Sequence, residues 1–299
     1  MAASAAPPAT QTATQPATQP TTQPTAQSAT RAATQPSTQP AKELTLDLGN
    51  RVTMKLVLIP AGKFTMGSGP QEQADASAAA KSAGSDASFA SETPQREVTI
   101  SKPFYMGVYE VTQDQYEVVT GTNPSHFKGA QNPVDTVSWG DAVAFCQALS
   151  RKTGRTVRLP TEAQWEYACR AGATTPFNTG PTISTDQANY DGRYTYGNGV
   201  KGGHPDKTMV VGSFKPNAFG LHDMHGNLME WCADWYGEDY YSASGNTVDP
   251  KGWATGTNRA MRGGSWVIPP DACRSAWRDW GTPDNRFGHY GFRVVVDAE

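Results

Sequence analysis

Arg158-Leu-Pro-Thr-Glu-Ala-Gln-Trp-Glu-Tyr-Ala-Cys-Arg170 carries a complete helix signal in thirteen residues. Thr161 followed three positions later by Gln164 forms a capping box, each side chain satisfying a backbone N–H that the start of a helix leaves unpaired. Trp165, Ala168 and Cys169 then fall on one face at helical spacing, and Gly172 follows as a stop. Two similar starts lie upstream. Ser138 with Asp141 opens a helix with Ala142, Phe145, Cys146 and Leu149 on its inward face, ended by Gly154. Thr112 caps another that runs to about Val119, before Gly121.

Short strands surround these helices. Met54-Lys-Leu-Val-Leu-Ile-Pro60 reads as a strand stopped by proline, Lys63-Phe-Thr-Met66 as its continuation after a turn, and Arg96-Glu-Val-Thr-Ile100 alternates. After Thr174 no helix of comparable length is signalled. Thr208–Val211, Leu228–Trp231, Arg259–Arg262, Arg274–Trp277 and Gly291–Val296 read as short strands between turns. With 29 glycines, 22 prolines and 8 tryptophans, the pattern predicts a loop-rich α+β domain with much of its buried area aromatic.

Residues 1–42 form an Ala/Thr/Gln/Pro-rich stretch with a loose four-residue beat, too polar to bury a core, and read as a disordered tail or stalk. The folded domain then spans 43–299, with a mobile insertion expected at about 68–92, where composition returns to Ala, Ser, Gly and Asp. The first residues lack the charged and apolar regions of an intact signal peptide. They suit the remnant of one, and hence an exported protein, periplasmic, cell-surface or secreted. The net charge of −3 is interspersed, so no basic stripe invites nucleic acid. No apolar run is long enough to predict a membrane span, and a monomer is expected. The four cysteines, Cys146, Cys169, Cys232 and Cys273, form no C-x-x-C pair, against a zinc knuckle or a thioredoxin-like site. Free thiols and one or two disulfides both remain open.

An ordered series of motifs accompanies these elements. Phe64-Thr-Met-Gly67, Glu110-Val-Thr-Gln113, Val137-Ser-Trp139 and Arg158-Leu-Pro-Thr-Glu162 come first. Asn217-Ala-Phe-Gly-Leu-His-Asp-Met224, Gly226-Asn227, Glu230-Trp231, Arg262-Gly-Gly-Ser-Trp266 and Gly291-Phe-Arg293 follow. In this order, from about Leu56 to Val295, the chain closely resembles the formylglycine-generating-enzyme (sulfatase-modifying-factor) family. The resemblance implies a variant of the C-type-lectin fold. It also implies an oxidase that converts a substrate-peptide cysteine to formylglycine, using two cysteines after Gly-Gly-Ser to hold copper(I), which prefers soft thiolates. Here Ile268 stands at the first of those positions, and Cys273 falls on the second by an ungapped count. Copper is therefore not expected. Ser265 matches a serine beside the family's active site, so Cys273 and Ser265 are the residual catalytic candidates.

Other implications follow from the resemblance. The family bridges the cysteine matching Cys169 to one matching Ser275. If 273–277 is a strand, residues 273 and 275 share a face, making Cys169–Cys273 a candidate disulfide. The second bridge would pair Cys146 with Val294, leaving Cys146 free. Asp223, Gly226, Leu228 and Glu230 match a calcium loop of hard oxygen ligands, the plain alternative being a capped turn around a buried Glu230. Asn189 and Tyr190 match the first half of a second calcium site, but its later half is not recognisable. His222 and His225 lie in a loop without a third ligand, which disfavours zinc. His126, His204 and His289 are scattered in sequence.

Arg262, Arg274, Arg278, Arg286 and Arg293 form a C-terminal series, read mainly as ion pairs pinning loops and otherwise as an anion surface. Trp266, Trp277, Trp280, Arg278, Arg286, His289 and Tyr290 are candidates for a ligand face, since aromatic and arginine side chains anchor interfaces. The functional expectation is a non-oxidase binding or accessory module of an exported bacterial-type protein, taking a peptide, protein or small-molecule ligand. The alternative is the formylglycine-generating, sulfatase-activating oxidase itself.

Overall fold

The computed structural model describes residues 41–298. The 1–42 tail reading therefore lies outside the described residues except at its last two positions. β1 (Glu43–Gly49) and β2 (Val52–Ile59) open an antiparallel five-stranded sheet. β5 (Phe104–Gly107), β11 (Val295–Asp297) and β6 (Val157–Arg158) complete it in the order β1-β2-β5-β11-β6. β3 (Gly62–Met66) and β4 (Arg96–Ile100) pair separately. The third sheet runs β10-β7-β8-β9, from Tyr290–Gly291, Met229–Trp235, Arg259–Arg262 and Asp279–Gly281.

α2 (Gln113–Thr120), α3 (Trp139–Thr153) and α4 (Glu162–Arg170) each begin with the expected capping box, on Thr112, Ser138 and Thr161. Gly121 and Gly154 take the left-handed conformation that ends α2 and α3, whereas α4 ends on Ala171 with φ of 45°. Phe145 of α3 stacks on Tyr116 of α2 at 5.5 Å and meets Phe292 edge-on at 5.3 Å, closing one core beneath the five-stranded sheet. Trp165 of α4 anchors a second core with Phe104, Ile59 and Val98. α5 (Tyr240–Ala243) is a single turn.

Four expectations need correction. The segment read as a mobile insertion at 68–92 is ordered: α1 (Pro70–Ser82) buries Ala76, Ala79 and Ala80 against a third core that includes Phe89. Its inward stripe is alanine, the best helix former, so composition alone looked like linker. Thr208–Val211 is not a strand but a loop held by Asn227, whose Oδ1 accepts from Met209 N at 2.9 Å. Arg274–Trp277 is also not a strand. It is a turn that follows a 3-10 turn at Pro270–Cys273. The Gly291–Val296 run is divided between β10 and β11, with Phe292 and Val294 giving their carbonyls to Val111 and Gly107 between them.

Four arginines of the C-terminal series are buried on glutamates. Arg293 meets Glu230 at 2.7 Å, Arg278 meets Glu162 at 2.7 Å, and Arg274 meets Glu92 at 2.6 Å and Glu72 at 2.9 Å. Arg262 is ion-paired with Glu166, which Arg170 also holds at 2.9 Å. Arg286 differs: it is exposed and pairs with Asp141 at 2.8 Å. Removing one partner of a buried pair strands a charge in low dielectric and costs about 3–5 kcal/mol, whereas an exposed pair is worth about 1 kcal/mol or less. Arg274→Met should therefore lower the urea unfolding free energy by about 3–5 kcal/mol, while Arg286→Ala changes it by less than about 1 kcal/mol.

Candidate functional site

The Gly-Gly-Ser turn after β8 decides what the cysteine region can do. Gly263 and Gly264 have φ of 98° and 70°, conformations open to glycine. A Cβ on Gly264 would lie 2.5 Å from Cys273 Sγ and 2.7 Å from the Ala272 carbonyl, so the 3-10 turn folds directly back over the glycine. Cys273 and Ser265 are both fully buried. The Cys273 thiol faces the carbonyls of Pro269 and Ile268 at 3.7 and 4.0 Å, and burial, with Asp271 nearby, pushes it well above the usual thiol range. Ser265 Oγ has no hydrogen-bond partner among the described residues. Two residues proposed for catalysis are thus brought together, but as packed core.

The Cys169–Cys273 pairing is not formed. All four cysteines are free and buried. The pairing requires a strand at 273–277, and the 3-10 turn at Pro270–Cys273 with the turn after it removes the shared face. Cys169 Sγ instead points to Ser275 Oγ at 3.5 Å, the position that the resemblance made its bridging partner. Burial raises the Cys169 and Cys146 thiols to about 12. Cys146 and Val294 share a core, as the same resemblance implied. His225 braces this region. It bonds the Cys273 carbonyl through Nδ1 at 2.8 Å, and its Nε2 accepts from Asn178 N at 3.0 Å. Burial holds its imidazole down to about 4, so it is a neutral strut with both nitrogens engaged. No zinc chemistry follows from it.

The loop from Asp223 to Glu230 collects charge. Asp223, Gly226 and Asn227 all have positive φ, at 58°, 91° and 61°. Glu230 is gripped by Arg293 and accepts from Trp165 Nε1 at 2.8 Å. Glu110, which the sequence marked only as part of the Glu110-Val-Thr-Gln113 motif, joins it, accepting from Asn227 Nδ2 at 2.7 Å and Leu228 N at 3.0 Å. Burial first, then the neighbouring carboxylates, raise both Glu110 and Asp223. Three carboxyl groups, Glu230, Glu110 and Asp223, share Arg293, a set of hard oxygens that suits a cation. Among the described residues no three acidic, His or Cys side chains form a ready cage, so backbone carbonyls such as those of Gly226 and Leu228 would have to complete one. Asn189 Oδ1, at the doubtful second site, is buried without a partner, and its Nδ2 donates to Asn227 Oδ1 at 3.1 Å. Tyr190 spends its hydroxyl on the Ile183 carbonyl.

The expected ligand face divides. Arg278 and Tyr290 are buried, and Trp277 is half-buried with its ring edge-on to Phe89 at 5.3 Å, so these three face inward. Trp280 is exposed on β9, 6.3 Å from Tyr236. A separate aromatic face gathers around Trp266, which donates from Nε1 to the Gly288 carbonyl at 3.1 Å. Phe127 lies 5.4 Å and His204 6.3 Å from its ring, while His126 meets Phe127 edge-on and exposed Phe287 stacks on His289. His126, Phe127 and His204 come from distant loops, and no sequence periodicity linked them.

The fold and this arrangement define a domain of the formylglycine-generating-enzyme class, with helices and curled sheets locked by buried Arg–Glu pairs. The chain belongs to the sulfatase-modifying factor enzyme 1-like domain family, whose pattern it matches over residues 46–298. It is 40% identical over 189 residues to a formylglycine-generating enzyme of Streptomyces coelicolor, covering 60% of this chain but only 55% of that protein. It is 30% identical over 304 residues to the formylglycine-generating enzyme of Mus musculus, covering 81% of this chain and 75% of that one. The solved structure of Treponema denticola variable protein 1 superposes with a TM-score of 0.69 at 26% identity, covering 86% of this chain and 99% of that one.

The Cys169–Ser275 contact generates a prediction. Ser275→Cys should form a disulfide with Cys169 in air. Closing a loop of about 100 residues is worth about 4–5 kcal/mol in the unfolded-chain account, seen as a higher denaturation midpoint that reductant removes. In the parent protein, alkylation after unfolding without reductant should modify all four cysteines.

Proposed function

We propose that this domain is a non-oxidase binding or accessory module of an exported bacterial-type protein, carried on the Thr-Gln-Pro stretch that precedes it. One observation carries the reading: Cys273 lies sealed beneath Gly264, with Ile268 where the family's other copper thiolate stands. A buried thiol pushed far above neutral pH is a poor source of the thiolate that copper(I) needs. The aromatic face around Trp266, Phe287 and His289 supports a binding role, since partly exposed aromatics anchor interfaces. The competing reading, the sulfatase-activating oxidase, is favoured by the names of the Streptomyces and mouse relatives. Incubation with copper(I), O2 and a Cys-x-Pro-x-Arg peptide separates the two. The expected result is no aldehyde by mass spectrometry; aldehyde formation that Cys273→Ser abolishes would establish the oxidase.

The Asp223–Glu230 loop is proposed to hold a structural calcium ion, with Asp223, Glu230 and the Gly226 and Leu228 carbonyls as ligands. The excess of carboxylate over guanidinium around Arg293 supports it. Calcium at one hundred times its Kd adds about 2.7 kcal/mol of stability, or roughly 5–10 °C in Tm for a domain of this size. EGTA should lower the Tm by that amount in the parent protein and not in Asp223→Asn; an unchanged melting curve would remove calcium from the account.

A further inference from the structure

One well-formed cavity lies away from the Gly263–Cys273 region and the aromatic face. It has a volume of about 570 Å³, within the roughly 300–1,000 Å³ typical of small-molecule sites. It opens between the end of β11, the start of β5 and the first turn of α4. Pro103, Phe104 and Ala233 give it an apolar wall.

Most of its polar groups are already engaged. Arg158 spends its guanidinium on Asp297 at 2.6 Å and Gln164 at 2.9 Å, and Asp249 accepts from Ser101 N at 2.8 Å. Three charged side chains keep capacity for a ligand. Asp234 is 3% exposed and accepts from Glu162 N through Oδ2 at 2.9 Å, while its Oδ1 receives no hydrogen bond from a described residue. Lys102 and Lys251 are exposed on the same lining, and neither is ion-paired with a described residue. The lining therefore combines one buried acid, two exposed ammonium groups and the apolar surface of Pro103, Phe104 and Ala233.

We propose that this cavity binds a free amino acid with an apolar side chain, its ammonium on Asp234 and its carboxylate between Lys102 and Lys251. The polarity of the site matches a zwitterion and mismatches a simple amine or a simple carboxylate. Leaving either charge of the ligand without its partner would cost the desolvation of that group.

The charge on Asp234 gives the proposal a distinctive signature. Burial first, then Glu162 of α4, raise its carboxyl to about 7, against the opposing pull of Arg278 and of Arg262 on β8. Arg259, also on β8, feels the same carboxylate. At pH 7 the carboxyl is thus about half protonated, and a bound ammonium favours its charged form. Binding should release up to about half a proton at pH 7, and affinity should rise roughly tenfold from pH 6 to pH 8.

Isothermal titration of the full chain with L-leucine, L-methionine and L-phenylalanine tests this, run in phosphate and in Tris to count protons. The expected result is one-to-one binding by at least one of the three, with proton release at pH 7. Asp234→Asn keeps an acceptor for Glu162 N and should lose at least tenfold in affinity together with the pH dependence. Lys102→Ala/Lys251→Ala, at exposed positions, should weaken L-phenylalanine without changing the weaker binding of phenethylamine, and N-acetyl-L-phenylalanine should not bind. The proposal is overturned if none of the three amino acids gives a saturable heat at millimolar concentration. Equal binding by the well-folded lysine variant, or an unchanged pH profile in Asp234→Asn, also overturns it.

Discussion

Arg262, Arg274, Arg278 and Arg293 bury their guanidinium groups on acids that come from earlier in the chain: Glu166, Glu92, Glu162 and Glu230. The C-terminal third is mostly turns, with strands of two to four residues after β7, so backbone ladders alone do not position it. The ion pairs do. Each fixes one point of the 262–293 stretch against α4, β7 or the connection between α1 and β4. Buried pairs often add little stability relative to a well-packed apolar core, but a mispaired alternative leaves a naked charge. In a loop-rich domain that penalty selects one arrangement of the loops.

This anchoring also closes the cysteine region. Arg262 and Arg274 bracket the segment from Gly263 to Cys273, so the Gly-Gly-Ser turn and the 3-10 turn are pressed together over a short distance. Arg274 donates from Nε to the Asp271 carbonyl at 2.8 Å, which tightens the turn carrying Cys273. The place where the resemblance expects open thiol chemistry is here a packed joint. Residues free to meet a ligand lie elsewhere: around Trp266, and in the cavity floored by Asp234.

Much of the framework was legible in the sequence because its signals are local. The Thr112, Ser138 and Thr161 capping boxes each specify a helix start from four residues, and the inward stripe at Phe145, Cys146 and Leu149 follows helical spacing. The ion-pairing role of the arginine series was also readable, since buried arginine needs an acid. What failed was long-range or compositional. α1 has alanine for its buried face and so resembled linker. Cys273 was placed on a strand because Arg274–Trp277 reads as a short strand between turns, whereas Arg274 is bound to Asp271 and Glu92, a pairing with no local signal. The ligand face failed for a similar reason: Trp277, Arg278 and Tyr290 face inward, while His126, Phe127 and His204 reach Trp266 from loops far away in sequence. Asp234 carried no motif at all.

We propose that burial of Cys273 and the isoleucine at 268 leave this domain without a copper(I) site, although it is built like the formylglycine-generating enzymes it resembles. A competition titration of the reduced protein with copper(I) bicinchoninate tests it directly. The account predicts that an equimolar amount of native protein leaves the bicinchoninate absorbance unchanged. Withdrawal of one equivalent of copper by the native fold, lost in Cys273→Ser, would contradict it.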